Sequence, residues 1–419
     1  MVASTDIKFY VHTNTNAPQL QNAFGCMIDV LDACLVNGFG SQVVTSLVAS
    51  GTTVTATFGT AHNFMQYQVI KISGANQPEF NGEHRILTVP NSTSITFQLA
   101  ATPSATTATG TIACSLPALG WLKPFSGTGK AAYRSSNTLL ASRPYLRVVD
   151  AMDPVWTTTY AKFAKVALVE EMSDIDTMFG AIAPFDSSAP DKNWVGSGSG
   201  ATAVNGWSKW YYAHTNSFAY VNIIADSAAV TNGTRSWILV GNSDYFYILP
   251  ATTPTDTFPA VYGFGAFKSL INNDTSNNFL CSNFDSRAAN SATYKGRYIG
   301  LTGTNAFQQI LLQRPYTQNA QYTVASIRSL RPLASSSQDI YTGISDYIGS
   351  YSLTNIAPFA PVFINETVFR GELFGFYWLF QNKPYANYQA IQQGNIFYIA
   401  LNCASDVSQG QAIFKVGEI

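Results

Sequence analysis

The sequence predicts a mainly β protein, rich in β-sandwich structure and divided into several domains, with one N-terminal amphipathic helix and an inserted Ig-like β module. Three observations carry that prediction. Short apolar runs alternate with polar residues at a period of two, as in Val54-Thr55-Ala56-Thr57-Phe58, which is the spacing of a half-buried strand. Turn-forming residues separate these runs at regular intervals. Only one stretch, Leu20 to Leu35, sustains apolar residues at helical spacing.

The elements follow in order. Lys8 to His12 reads as a first strand. Asn16 reads as a helix cap with Pro18 in the first turn, and Leu20, Phe24, Met27 or Ile28, Leu31 and Leu35 supply the apolar stripe. Gly38 and Gly40 end the helix. Asp29 and Asp32 then fall on its solvated face.

Six short runs come next: Val43 to Val48, Val54 to Phe58, Tyr67 to Ile72, Arg85 to Val89, Ile95 to Leu99 and Thr111 to Cys114. Ser50-Gly51, Gly74-Ala75-Asn76, Asn81-Gly82, Pro90-Asn91 and Pro103-Ser104 turn the chain between them. About seventy-five residues of this kind can form a sandwich of their own. His62 and His84 read as ordinary strand and loop histidines, with no metal-ligand spacing. Three divisions are therefore expected. Residues 1–40 and 116–250 form a discontinuous main β domain, 41–115 an inserted β-sandwich module, and 251–419 a C-terminal β-rich region.

Beyond the module, Gly127 and Gly129 stand too close together for a phosphate loop, and no Ser or Thr follows Lys130. A turn between strands is expected there. Tyr145 to Asp150 and Phe163 to Glu170 read as strands. Glu170, Glu171, Asp174 and Asp176 make an exposed acidic loop; the ligands that a calcium loop needs are missing in register. Pro184 to Asn205 reads as loop. Ser236 to Val240 and Tyr245 to Leu249, joined by Gly241 to Asp244, give the strongest hairpin signal in the chain. Ile271 to Thr293 reads as polar loop. Strands resume at Val261 to Phe267, Tyr298 to Leu301, Ile310 to Leu312, Tyr322 to Ile327, Val362 to Asn365, Leu373 to Trp378 and Ile396 to Leu401.

Charge narrows the function. Of 419 residues only 11% are charged, against roughly 25% in an average domain. The net charge is −1, which leaves no electrostatic footprint for nucleic acid or an anionic membrane. Aromatics reach 13%, which suits a protein that buries much of itself against partners. Five cysteines without metal-ligand spacing are expected as buried free thiols. No signal peptide and no membrane-spanning run is recognised, so assembly in a cytoplasm is expected. No catalytic, cofactor-binding or metal-binding residues are identified, and an enzyme is not expected. Trp207, Trp210, Tyr211 and Tyr212 cluster as either core packing or a sugar-binding platform.

Several stretches carry a resemblance. They are Leu31 to Gly40, Gly120 to Arg134, Tyr145 to Val148, Glu171 to Thr177 and Ser236 to Leu249. In order and spacing they resemble a family of tailed-bacteriophage virion structural proteins. Val54 to Thr57, Ala61 to Asn63, Val69 to Gly74, Phe80 to Gly82, Ile86 to Val89 and Gly110 to Ile112 resemble a β-sandwich unit that recurs in such proteins. The resemblance implies a tail-tip or baseplate component, located in the virion, with an optional module inserted after its first helix. It implies other virion structural proteins as partners, a homo-oligomer, and no catalytic residues to transfer. A capsid or collar decoration protein and an adhesin for host-surface glycan are the alternative readings.

Overall fold

The computed structural model describes residues 2–199, 203, 206–217, 226, 227, 229–284, 309–329, 359–379, 383–405 and 408–419. Its elements are almost all antiparallel strands, gathered into three sheets. The largest runs in the order Lys8–Val11, Trp237–Gly241, Tyr245–Pro250, Tyr262–Ala266, Asn278–Cys281, Gln309–Leu312, Thr323–Ser329, Phe359–Asn365, Phe369–Leu379, Ser408–Glu418, Ile396–Ser405 and Gln389–Gln393, with the short Lys268–Ser269 strand beside Phe369–Leu379. This sheet folds back on itself. Tyr247 shows why: its ring lies 5.5 Å from Phe376 and 5.6 Å from Phe414, both on the returning half. Its hydroxyl donates to the Phe374 carbonyl at 2.8 Å. The division expected at residue 250 does not coincide with a break in pairing, because Ile248 pairs with Tyr262 across it.

The first half of this sheet is a middle layer with both faces covered. Along each strand alternate side chains enter different cores, as the two-residue period requires. Trp237, Leu239, Phe246, Ile248, Tyr262 and Phe264 enter one core. Ile238, Val240, Tyr245, Tyr247, Leu249 and Phe279 enter the other, against the returning half. Hence these strands read as continuous apolar runs instead of alternating ones.

The second sheet covers the first of those faces. It runs Asn283–Phe284, Ser208–Ala213, Lys162–Met172, Tyr145–Val149, Lys130–Arg134, Leu122–Gly127, with Met178–Ala183 also on Lys162–Met172. The turn expected at Gly127 to Lys130 joins two of its strands. The polar stretch 271–293, expected as loop, supplies two strands instead: Asn278–Cys281 pairs in the large sheet and Asn283–Phe284 in the second. One chain segment thus passes from one sheet to the other. The expected Tyr298 to Leu301 strand lies outside the described residues.

The third sheet is the inserted segment, in the order Gly82–Arg85, Val69–Ala75, Gly110–Leu116, Phe39–Ser50, Thr53–Phe58, Ser94–Gln98, Thr88–Asn91. The expected Arg85 to Val89 strand is split, because the chain crosses there from one edge of this sheet to the other. His84 and Phe97, from opposite ends of the sheet order, stack at 4.4 Å, so the sheet closes over its own interior. That interior is continuous with the core beneath the second sheet.

The helix is shorter than its apolar stripe. It spans Cys26–Leu31, and a π-helical turn continues it over Asp32–Asn37. Asn16 is not the cap: it sits in a turn at φ 58°, and Leu20 bridges to Arg235. Gly25 occupies the cap position at φ 96°, where it has no side chain to offer. The carboxylate of Asp150 serves instead, accepting from the Met27 amide at 2.9 Å and from the Tyr212 hydroxyl at 2.6 Å. Its burial raises the carboxyl to about 6, with the Tyr212 and backbone bonds working the other way.

Two tests follow from the layers and the cap. Tyr247→Ala should cost about 3–5 kcal/mol of unfolding free energy and Tyr247→Phe only about 1, since the second change keeps the ring and loses one hydrogen bond. Equal losses in a urea titration would contradict the packing role of the ring. For Asp150, the unfolded chain titrates at the ordinary 3.8 and the fold at about 6, so the fold binds the extra proton between those values. The resulting stability is fully present below about pH 4 and is lost as the pH rises through 6, in total about 3 kcal/mol. Wild type minus Asp150→Asn should show that slope, whereas a difference independent of pH would refute it.

Candidate functional site

The aromatic cluster singled out from sequence is not a surface platform. Trp210, Tyr211 and Tyr212 have no exposed surface at all. Their strand, Ser208–Ala213, faces the middle layer, and burial there is what the aromatic run achieves. Trp210 stacks on Tyr262 at 5.9 Å and donates its indole N–H to the Cys281 carbonyl at 2.9 Å. Tyr211 donates to the Asp226 carboxylate and Tyr212 to Asp150. Trp207 is half-buried, tilted against Phe284, with the Lys192 ammonium 4.5 Å over its ring. Trp210, Tyr211 and Tyr212 offer no face to a sugar.

The acidic loop is held by cations of the chain itself. Asp176 accepts from Lys130 at 2.7 and 2.8 Å and from Arg147 at 2.7 Å, and its carboxyl is held below the usual range, first by Lys130. Asp174 accepts the Asp176 and Thr177 amides at 2.9 Å, a local turn. His62 and His84 bond to backbone, His62 to Asn91 and Phe64 and His84 to Phe80. Among the described residues no three metal-ligating side chains gather in one place. The free cysteines are buried except Cys26, which is half-buried.

The surface instead offers an apolar patch on a charged footing. Leu270, Tyr316, Val368 and Phe369 are 52%, 39%, 38% and 46% exposed. Hydrogen bonds tie them together: the Leu270 amide donates to the Arg370 carbonyl at 2.9 Å, the Tyr316 amide to the Glu366 carboxylate at 3.2 Å, and the Glu366 amide to the Val368 carbonyl at 3.0 Å. Below them lies Arg370, with no exposed surface. Its guanidinium forks onto both oxygens of Asp274 at 2.7 and 2.9 Å and donates to Glu366 at 2.9 Å. Burial alone would raise the Asp274 carboxyl, but Arg370 and Ser269 override that and lower it. Beside it Arg314 donates to Glu170 of the second sheet at 2.6 to 3.1 Å. The patch is therefore tied to two sheets by planar, bidentate pairs, which fix angle as well as distance. No spacing in the sequence signals this network, and its four apolar residues fall outside every strand expected from the sequence.

A second feature is how the inserted segment sits. Arg85 is buried and gives its N–H groups to the carbonyls of Ser4, Tyr67 and Ile7 at 2.6, 2.7 and 2.9 Å. Burial lowers it to about 10, offset in part by Asp6. Tyr67 stacks on Phe397 of the large sheet at 4.3 Å, and Lys8 pairs with Glu83 at 3.2 Å. Gly417 leaves room for the guanidinium: a Cβ there would lie 2.4 Å from Arg85 Cζ. The inserted segment is docked on the body, not hung from it.

Comparison with known proteins gives little. No family model matches the chain and no curated protein matches it. Among the solved structures that match, phage phi92 endosialidase is similar at 9% identity and a TM-score of 0.17, over 90% of this chain and 52% of that one. The chain spans about half the length of that protein. A likeness of that size says nothing about function.

Removing the footing should be costly. Arg370→Met leaves Asp274 and Glu366 buried without their partner, and about 3–5 kcal/mol of stability should go. A urea midpoint within experimental error of wild type would show the network to be incidental.

Proposed function

We propose that the chain is a structural subunit of a tailed-phage particle, at the tail tip or baseplate, acting through assembly contacts. The observation that carries the contact role is the Leu270, Tyr316, Val368 and Phe369 patch. Four apolar side chains are held in water by backbone bonds to a buried ionic network, so they are presented in one fixed geometry. Apolar and aromatic anchors on a rigid base are what protein interfaces use, because little ordering entropy remains to be lost on contact. The low charge of the chain fits the same use, since large interfaces are depleted of charge at their centres. The phage assignment rests on the ordered stretches from Leu31 to Leu249 that resemble a virion family. Other virion proteins and further copies of this chain are the partners in this reading, and the chain is not assigned an enzymatic activity.

Collar or capsid decoration would use the same surface in another place. An adhesin reading loses Trp210, Tyr211 and Tyr212 as sugar contacts, because they are interior.

Labelling the intact particle with antibody against this chain separates these readings. Label at the distal tail is expected, label at the head or neck would replace the tail assignment with decoration, and unlabelled particles would overturn the virion reading. Leu270→Arg with Phe369→Arg should leave the circular dichroism unchanged and reduce incorporation into particles about tenfold or more, as loss of interface anchors does. Normal incorporation of that variant would remove the patch from the account.

A further inference from the structure

A sheet of this length must deal with its edges. An edge strand shows a row of unpaired backbone groups that another strand can join. Among the described residues the large sheet ends at Lys8–Val11 on one side and at Gln389–Gln393 on the other. On Lys8–Val11, Lys8 and Tyr10 lie opposite Gly241 and Leu239, and the following His12 amide bonds to Trp237, so the backbone groups of residues 7, 9 and 11 point away from the sheet.

Four of those outward groups meet partners where a strand would otherwise lie. The Ile7 carbonyl accepts from Arg85 at 2.9 Å, and the Phe9 carbonyl from the Gln68 amide nitrogen at 3.1 Å. The Val11 amide donates to the Asn14 side-chain oxygen at 2.9 Å, and the Val11 carbonyl accepts from the Asn14 amide at 3.0 Å. Gln68 and Asn14 bond each other, at 2.9 and 3.1 Å, which fixes both amide orientations. Arg85, Gln68 and Asn14 are all buried. Two of the three belong to the inserted segment.

We infer that the inserted segment is an edge cap: it occupies, in the same chain, the strand-addition site of Lys8–Val11, which would otherwise accept an extended strand from a second copy. The far edge gives the cap its point. Gln389–Gln393 carries neither charge nor proline, the usual guards of an edge. With both edges open, copies could join edge to edge without limit, a head-to-tail contact that does not close. With Lys8–Val11 capped, each copy keeps, among the described residues, one edge that can accept a strand. This inference does not depend on the phage reading.

The test is self-association. Arg85→Met with Gln68→Met removes the donors that the inserted segment supplies to this edge and keeps bulk, and its mass in sedimentation should rise with concentration to at least about twice that of wild type, as an opened edge predicts. Adding Val11→Pro deletes an outward N–H, and it should return the mass to the wild-type value. Association that survives the proline, or no association by a folded double variant, overturns the inference. If the double variant does not fold, wild-type hydrogen exchange decides. The Val11 amide should exchange within about tenfold of the inward Tyr10 amide; exchange as fast as at an exposed edge overturns the cap.

Discussion

Burial of one layer on both faces is the constraint on which the rest of the structure depends. The strands from Trp237 to Leu312 must find apolar partners on two sides, because their odd and even side chains are both apolar. The returning half of the same sheet covers one side. The second sheet and the short helix cover the other. Each covering layer in turn needs the middle one, since a single sheet with one apolar face cannot remain in water alone. This explains why residues 1–40 and 251–419, far apart in the chain, share one sheet.

Buried polar groups then decide how the layers register. Trp210 to Cys281, Tyr247 to Phe374, Asp150 to Met27 and Arg370 to Asp274 each join two different elements. A hydrophobic contact tolerates sliding, but a buried donor left without its acceptor costs about 1–3 kcal/mol, so these bonds fix one alignment. The same rule governs the inserted segment. Arg85 and Gln68 could not be buried unless they found carbonyls, and the outer edge of Lys8–Val11 supplies them. The arrangement turns an insertion into part of the body and leaves the patch around Phe369 on a footing that does not shift.

Much of this was legible in the sequence, for a reason that also sets its limits. The Ser236 to Leu249 hairpin and most strands of the inserted segment show period-two alternation or turn residues, and those signals are local. Helix capping here is not local: Asp150 lies 123 residues from Met27, so Asn16, the capping-type residue just ahead of the apolar stripe, was the wrong one. Arg370 and Asp274 are 96 residues apart, and no spacing rule links them. Asn278–Cys281 was hidden by polar neighbours because its burial comes from the strands on each side. Trp207, Trp210, Tyr211 and Tyr212 have the composition of either a core or a platform, and only the tertiary packing that buries three of them decides.

Native-state hydrogen exchange, read along the whole described chain, tests the central claim most directly. If the doubly covered layer organises the fold, the amides of Trp237–Gly241 and Tyr245–Pro250 should be the slowest, exchanging only through global unfolding. If they open at lower free energy than the second sheet or the inserted segment, the layers hold themselves and the middle one is not the organiser.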